Sequence, residues 1–503
     1  MKTEKKQTDW NRPEKLKTER KQTDRNRPEK MKTERKQTDW NRPEKIKTER
    51  KQTDWNRPEK IKTERKQTDR NRQEKMKTES RQMSGNRPEK KKAEKKQGVR
   101  KNPDPVKTEK AVKAAKKKSR CPVSALCGGC TMIDVPYDEQ ILGKQKILDE
   151  LIGDYVTPDP FIRMKAPEHY RHKVTSVFAP DRKGKPVCGI YREGTHEVVP
   201  VKACLIEHIQ ADRIVQTIYK LLADFRIRVY DEDLDMGLLR YVQIRAARAT
   251  KEIMVTLVLT DPVLPSRNTF VKKLVKLHPE ITTIVVNVND RNTTMVLGNR
   301  ETVVYGKGYI EDVLCGKRFR ISSRSFYQVN PLMTEKLYNI AIDCAALSGR
   351  ETILDAYCGI GTIGIIAAPH ARRVIGIELN ADAVRDAQHN IHMNGLTNVE
   401  ILQGDATRFM EDLAAGHRDI SSPDIDVIFM DPPRSGSTEE FMRAACAVRP
   451  KKIVYISCSP WSLQRDLEYL TQNGYEVRKA VPVDMFPFTG GIETVCKMVR
   501  TNS

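Results

Sequence analysis

The chain has 503 residues, with 91 Lys or Arg against 67 Asp or Glu and a net charge of +24. Residues 1–120 hold 44 basic and 20 acidic side chains, which leaves 47 of each sign in the rest. This distribution predicts a basic tail on a neutral, enzyme-sized body. No apolar run approaches the ~18 residues of a membrane span, and "KTEKKQTDWNRPEK" after Met1 lacks the apolar core of a secretory leader. A soluble, cytoplasmic protein without membrane contact is therefore expected. Eleven cysteines without an export signal argue against a disulfide framework and for thiol or metal chemistry.

Residues 1–118 form the predicted extension. "MKTEKKQTDWNRPEK", "LKTERKQTDRNRPEK" and four further copies repeat a fifteen-residue unit, and a degenerate seventh follows. Each copy offers one aliphatic and at most one Trp, too little for a core, and most contain a helix-breaking Pro. Two readings are compatible: a solvated, disordered extension, or an arm that contacts RNA phosphates through Lys and Arg and stacks bases on Trp10, Trp40 and Trp55.

Residues 119–322 are expected to form a central, mainly antiparallel β domain. "HKVTSVFAP", "LLRYVQIRAAR", "EIMVTLVLT", "ITTIVVNVN" and "TTMVLGN" are β-branched runs bounded by turn residues. The domain opens on "CPVSALCGGC", which spaces Cys121, Cys127 and Cys130 as Cys-x5-Cys-x2-Cys. Three thiols in ten residues, on a loop that glycines let fold round an ion, are a strong ligand signal. A fourth is required, from Cys188 or Cys204, and spacing alone leaves zinc and an iron–sulfur cluster both open.

Residues 323–503 alternate helix and strand, as in an α/β domain with a mostly parallel sheet whose ligand lies at the carboxyl ends of the strands. "LDAYCGIGTIG" places Gly359, Gly361 and Gly364 where a strand turns into a helix. Alone, that pattern suggests a dinucleotide equally well. Asp355 precedes the glycines, however, and later strands end in Glu378, suited to ribose hydroxyls, in Asp405, suited to an adenine amino group, and in "DPPRSG". Together these resemble the S-adenosylmethionine-binding domain of class I methyltransferases, with its Rossmann-like fold.

The next strand, "KKIVYISCSP", runs into Cys458. The pairing of "DPPRSG" with "SCSP" resembles the RNA uracil-C5 methyltransferases. Uracil C5 is too weak a nucleophile to attack a methyl sulfonium directly. A thiolate adding at C6 makes C5 nucleophilic, and a base must later remove the C5 proton. The resemblance assigns the nucleophile to Cys458 and, through "VDMFPFTGGIETVCKM", the base to Glu493; Gly491 stands where the family usually has a histidine. "SFYQVN" implies cofactor contact for Gln328, and Tyr357, Gly359 and Asp431 join Glu378 and Asp405 around the cofactor. Cys358 and Cys496 are expected to be inert packing. The family pattern places the fourth metal ligand at Cys204 and a 4Fe–4S cluster on Cys121, Cys127, Cys130 and Cys204. "HYRHKVTSVF" resembles a family segment with His172 in place of Asn; its Arg171 and Lys173 either bind RNA phosphate or merely solvate a strand. The implied substrate is RNA, large-subunit (23S) ribosomal RNA in the iron–sulfur branch, acted on by a monomer. The alternatives are a tRNA-directed or cytosine-C5 methyltransferase, or a catalytically idle RNA-binding assembly factor.

Overall fold

The computed structural model describes residues 119–416 and 424–501, so the expected repeat extension lies outside the described residues. Helix α1 (Tyr137–Ile152) comes first and buries Ile141, Leu148 and Ile152 along one stripe.

The central sheet is built from β1 (Lys173–Pro180), β2 (Pro186–Tyr191), β3 (Val198–Pro200), β4 (Leu239–Ala246), β5 (Ile253–Leu259), β6 (Ile281–Val288) and β7 (Arg300–Tyr305). Helices α2 (Ile209–Asp224) and α3 (Arg267–Leu277) interrupt it in sequence. Strand order is β3-β2-β1-β4-β5-β6-β7, antiparallel except for β5 with β6, where α3 makes the crossover. The expectation of a mainly antiparallel sheet holds. The two helices share one core with Val242, Ile244, Val255 and Leu257 of its middle strands. On the opposite face, Gln243 Nε2 donates to Ser323 O at 3.1 Å, and the Arg245 guanidinium donates to Ser323 O at 3.3 Å and to Ser325 O. That buried polar face anchors the segment leading to Gln328.

One predicted strand is absent. "TTMVLGN" is a loop, and the last strand of the sheet is β7, immediately after it. Side chains take the hydrogen bonds that a ladder would make. Asn289 Nδ2 donates to Met295 O at 2.7 Å and Val296 O at 3.1 Å, and Asn287 binds both the amide and the carbonyl of Gly298.

Hairpin β8 (Tyr309–Leu314) and β9 (Lys317–Ser322) leads into α4 (Pro331–Ala345). The second sheet then forms from β10 (Thr352–Asp355), β11 (Arg373–Glu378), β12 (Val399–Gln403), β13 (Val427–Met430), β14 (Lys452–Ser457), β15 (Tyr475–Val483) and β16 (Glu493–Arg500). Between its strands run α5 (Thr362–Ala367), α6 (Ala381–Met393), α7 (Ala406–Ala414), α8 (Glu439–Val448) and α9 (Pro460–Gln472). The order is β12-β11-β10-β13-β14-β16-β15, parallel through β14 and antiparallel at β16 and β15. Period-two alternation fills both faces: Ile353, Val374, Val427 and Val454 enter one core, and Leu354, Ile375, Ile428 and Ile453 the other. Helix α1 joins the second core beside Leu463 and Leu467. The backbone of Asp159 and Ile162 bonds to Ala480 O and Pro482 O, so the start of the described chain is tied to the last sheet. No helix among the described residues is long and apolar enough to cross a membrane.

Candidate active site

The segments that follow β10 and β13 meet the segment 326–328 at a cleft lined by Phe326, Gln328, Tyr338, Tyr357, Gly359 and Asp431 among others. After β10 the chain turns through Gly361, whose φ of +81° suits glycine, into α5. Asp355 Oδ2 accepts from Gly364 N at 2.9 Å and fastens this turn, while its buried Oδ1 has no partner. Burial, with smaller contributions from Asp431 and Glu378, pushes the Asp355 carboxyl up to about 7. Asp431 is likewise pushed up to about 7 by burial. Glu378 accepts from Gly359 N at 3.0 Å and Asn380 N at 2.7 Å, and each oxygen keeps a lone pair for a ligand hydroxyl.

Of the six side chains expected around the cofactor, Gln328, Tyr357, Gly359 and Asp431 line this cleft, and Glu378 holds Gly359 at its edge. Asp405 does not line it. Its Oδ1 caps α7 through Arg408 N at 3.0 Å, and its charge reaches Tyr357. The glycine pattern allows two ligands, and the acid-rich setting favours one of them. The cleft has Asp431 in its wall, Asp355 and Glu378 behind it and no basic lining residue. It suits a ligand carrying a sulfonium and an ammonium group, so these residues fit S-adenosylmethionine.

Strand pairing brings the predicted nucleophile and base to neighbouring strand ends. Ser457, the last residue of β14, is opposite Thr494 of β16; Cys458 follows the one, Glu493 precedes the other, and the charge of Glu493 acts on the Cys458 thiol. Burial pushes the half-buried Cys458 thiol up to about 11; Glu493 and Asp431 add to this, and Arg434 opposes it. Glu493, 3% exposed, is held well above the ordinary carboxyl range by burial and Asp431, again opposed by Arg434. One cation and three acidic groups thus share a single electrostatic site. The loop after Asp431 is fixed from α9. Asp466 Oδ2 accepts from Ser437 N at 2.8 Å and Tyr455 OH at 2.5 Å, and Arg465 donates to Ser435 O and Ser437 O. Gly436 is required there: φ is +80°, and an added Cβ would stand 2.6 Å from Asp466 Oδ2. Gly491 is crowded too, since an added Cβ would stand 3.0 Å from Phe486 Cδ2. A side chain at 491 would need Phe486 to shift by a few tenths of an ångström.

A raised thiol pKa has a measurable consequence. Only the thiolate is alkylated, and its fraction grows about tenfold per pH unit below the pKa. Iodoacetamide modification of Cys458 in the ligand-free protein, followed by peptide mapping, is expected to accelerate steadily from pH 7 to 10. A plateau below pH 8.5 would contradict the acidic setting described above.

Cys121, Cys127, Cys130 and Cys204 are all partly buried. Cys121, Cys130 and Cys204 pack against the same core, whereas Cys188 lies in the core of the central sheet with its sulfur taking Gln216 Nε2 at 3.4 Å. Burial pushes Cys130 up to about 11, with Cys127 and Cys121 adding to the rise. Burial pushes Cys204 up to about 12, with Glu207 adding. Among the described residues, however, no group of three His, Cys, Asp or Glu side chains stands where it could hold a metal ion. Cys358 and Cys496 are buried, consistent with packing.

Two neighbours escaped the sequence reading of the site. Arg434 appeared only within "DPPRSG", yet its charge meets both Cys458 and Glu493. Phe326 is 64% exposed at the cleft. A large apolar residue next to a motif residue is the signal that could have found Phe326.

The family model described as tRNA (Uracil-5-)-methyltransferase matches residues 136–501. An uncharacterized RNA methyltransferase of Halalkalibacterium halodurans is 39% identical over 388 residues, covering 76% of this chain and 83% of its own length. Another, of Caldanaerobacter subterraneus subsp. tengcongensis, is 39% identical over 384 residues and covers 76% and 84%. Among solved structures, the Pyrococcus abyssi tRNA (uracil-54, C5)-methyltransferase in complex with S-adenosyl-L-homocysteine aligns with a TM-score of 0.62 at 24% identity. That alignment covers 74% of this chain and 86% of the other. It supports the class I methyltransferase-like fold with its mixed sheets.

Proposed function

This chain belongs to the tRNA (uracil-5-)-methyltransferase family, and from that premise we propose that it methylates C5 of a uridine in RNA through Cys458 and Glu493. The observation that carries the reading is that Cys458 and Glu493 stand at the paired ends of β14 and β16, with the charge of Glu493 acting on the thiol and Asp431 and Arg434 acting on both.

S-adenosylmethionine supplies an electrophilic methyl group; Gln328, Tyr357, Gly359, Glu378 and Asp431 would hold it, with Asp405 toward the adenine. The Cys458 thiolate adds to C6 of uracil and pushes the C5–C6 π electrons toward C5 and O4. Carbon C5 then bonds to the methyl carbon as the bond from that carbon to the sulfonium sulfur breaks, its electron pair staying on sulfur, and C5 still carries its hydrogen. The Glu493 carboxylate takes that hydrogen as a proton. The C5–H electrons restore the C5–C6 double bond as the C6–S bond breaks, and the thiolate returns. The raised pKa strengthens the carboxylate as a base and lowers the share that is ionised, and Arg434 opposes the rise. Arg434 offsets the negative charge that the thiolate and the enolate develop.

Large-subunit ribosomal RNA is the proposed substrate, and the cysteine set supports it by resemblance to the iron–sulfur branch. tRNA is the alternative, favoured by the description of the matching family. Transfer of labelled methyl to 23S ribosomal RNA and to bulk tRNA, both lacking 5-methyluridine, separates the two. Label on neither would overturn the activity.

The cysteine set is proposed to carry a 4Fe–4S cluster on Cys121, Cys127, Cys130 and Cys204, or zinc in its place. Four thiols suit either, and the packing of three of them on one core supports the choice of Cys204 over Cys188. The arrangement described would have to close further round an ion, and the methyl-transfer chemistry needs no electron transfer. Protein prepared without oxygen is expected to be brown and to contain about four iron and four sulfide per chain. Stoichiometric zinc without iron would refute the cluster.

The basic repeats are proposed as an RNA-contacting arm. Removing residues 1–110 is expected to leave methyl transfer intact at saturating RNA, weaken RNA binding and flatten its salt dependence. An unchanged slope of log affinity against log salt would make the arm a spacer.

A further inference from the structure

Glu493 opens β16 directly after the loop 484–492, and this loop is gripped from remote parts of the chain. Asp484 is fully buried. Its Oδ1 accepts from Lys144 Nζ at 2.7 Å, and its Oδ2 accepts from Tyr137 OH at 2.7 Å. Lys144 Nζ also donates to Phe486 O at 3.3 Å. Gln140, fully buried one turn earlier on α1, accepts from Phe488 N at 2.9 Å through Oε1. Its Nε2 is spent on Met132 O and Val135 O. Met132 N donates to Phe488 O at 3.0 Å, Tyr170 OH to Pro487 O at 3.0 Å, and Asn330 Nδ2 to Met485 O at 2.9 Å. Every carbonyl from Met485 to Phe488 therefore has a partner outside the loop. Phe488 itself has a φ of +66°, a left-handed conformation that a non-glycine residue holds only when its surroundings enforce it.

A loop meant only to join two strands needs none of this. A buried lysine–carboxylate pair is a poor device for stability, since apolar residues of similar size often do as well. What the grip does supply is a fixed entry into β16, whose first residue is the base. We propose that Gln140, Lys144 and Tyr137 on α1 are positioning residues for Glu493: by holding loop 484–488 they set where the carboxylate meets the C5 proton. The inference rests on the reading of Glu493 as the base. Cys458 is held from another side, by β14 and the Ser459 cap of α9. The grip therefore bears first on proton removal, the step that uses Glu493.

This gives a step-specific signature. In full-length Gln140→Leu, which nearly keeps the volume and removes the bond to Phe488 N together with those to Met132 O and Val135 O, labelled methyl still reaches RNA in a first burst of about one per enzyme. Steady-state turnover falls on the order of tenfold to a hundredfold, the scale of a displaced catalytic group. The protein–RNA adduct carrying methyl label accumulates on a denaturing gel. Lys144→Met alone leaves Asp484 buried and unpaired and is prone to misfold. Lys144→Met/Asp484→Asn removes both charges and is expected to show the same burst and adduct. If burst amplitude and steady-state rate fall together with no adduct, the grip is merely structural and the proposal fails. Wild-type turnover in both variants overturns it as well. Glu493→Gln run alongside separates the two claims: adduct in that variant but in neither grip variant sinks the positioning role alone, and adduct in none sinks the base assignment beneath it.

Discussion

Cys458→Ser is expected to bind S-adenosylmethionine as the parent chain does and to lose methyl transfer by on the order of 10⁴-fold or more, the scale seen when a covalent nucleophile is removed. The cofactor cleft is lined from β10, β13 and the segment 326–328, and Cys458 is not part of it. A hydroxyl in place of the thiol keeps the shape of the strand end but is a far poorer donor to C6. Without that addition, C5 never becomes nucleophilic. Calorimetry with S-adenosylhomocysteine and a methyl-transfer assay check the two halves of the statement. Activity within tenfold of the parent would remove Cys458 from the mechanism, and loss of cofactor binding would mean that the substitution disturbed the fold.

Glu493→Gln is expected to divide the reaction at its midpoint. Thiolate addition and methyl transfer do not use this carboxylate; removal of the C5 proton does. The carboxamide fills the same buried space and cannot accept a proton at neutral pH. Turnover should drop about 10²–10⁴-fold, the usual worth of a positioned base, or about 3–5 kcal/mol of barrier. A denaturation-resistant RNA–protein band carrying the cofactor's methyl label should build up through Cys458. Gly491 offers no side chain to act instead. Normal multiple turnover without trapped adduct would exclude Glu493 as the base.

How much of this could be read from the sequence depended on the reach of each interaction. The glycine turn and its strand were legible because strand, turn and helix lie within residues 352–367, and β10 and α5 are found there. The strand ends carrying Glu378 and Asp431 were legible for the same reason. "TTMVLGN" misled because Asn287 and Asn289, outside that run, claim its backbone groups. The helix α2 was written in the spacing of Ala211, Ile214, Val215, Ile218, Leu221 and Leu222, yet the β-branched runs around it dominated the reading of the central region. The grip on the base loop was out of reach. Lys144 and Asp484 are separated by 340 residues, and a lysine on an amphipathic helix reads as a solvated face until the fold buries it. Asp405 was read by its position at a strand end, where the same carboxylate also serves as a helix cap.

The adduct itself tests the central claim most directly. The full-length protein, incubated with S-adenosylmethionine and RNA carrying 5-fluorouridine at the methylated position, should stall once methylated, because fluorine at C5 cannot leave as a proton. Digestion with nuclease and protease, followed by mass spectrometry, is predicted to find one peptide containing Cys458 that bears a methylated fluorouridine nucleotide on its sulfur. A nucleotide on any other cysteine, or methylated RNA with no protein attached, would contradict the account.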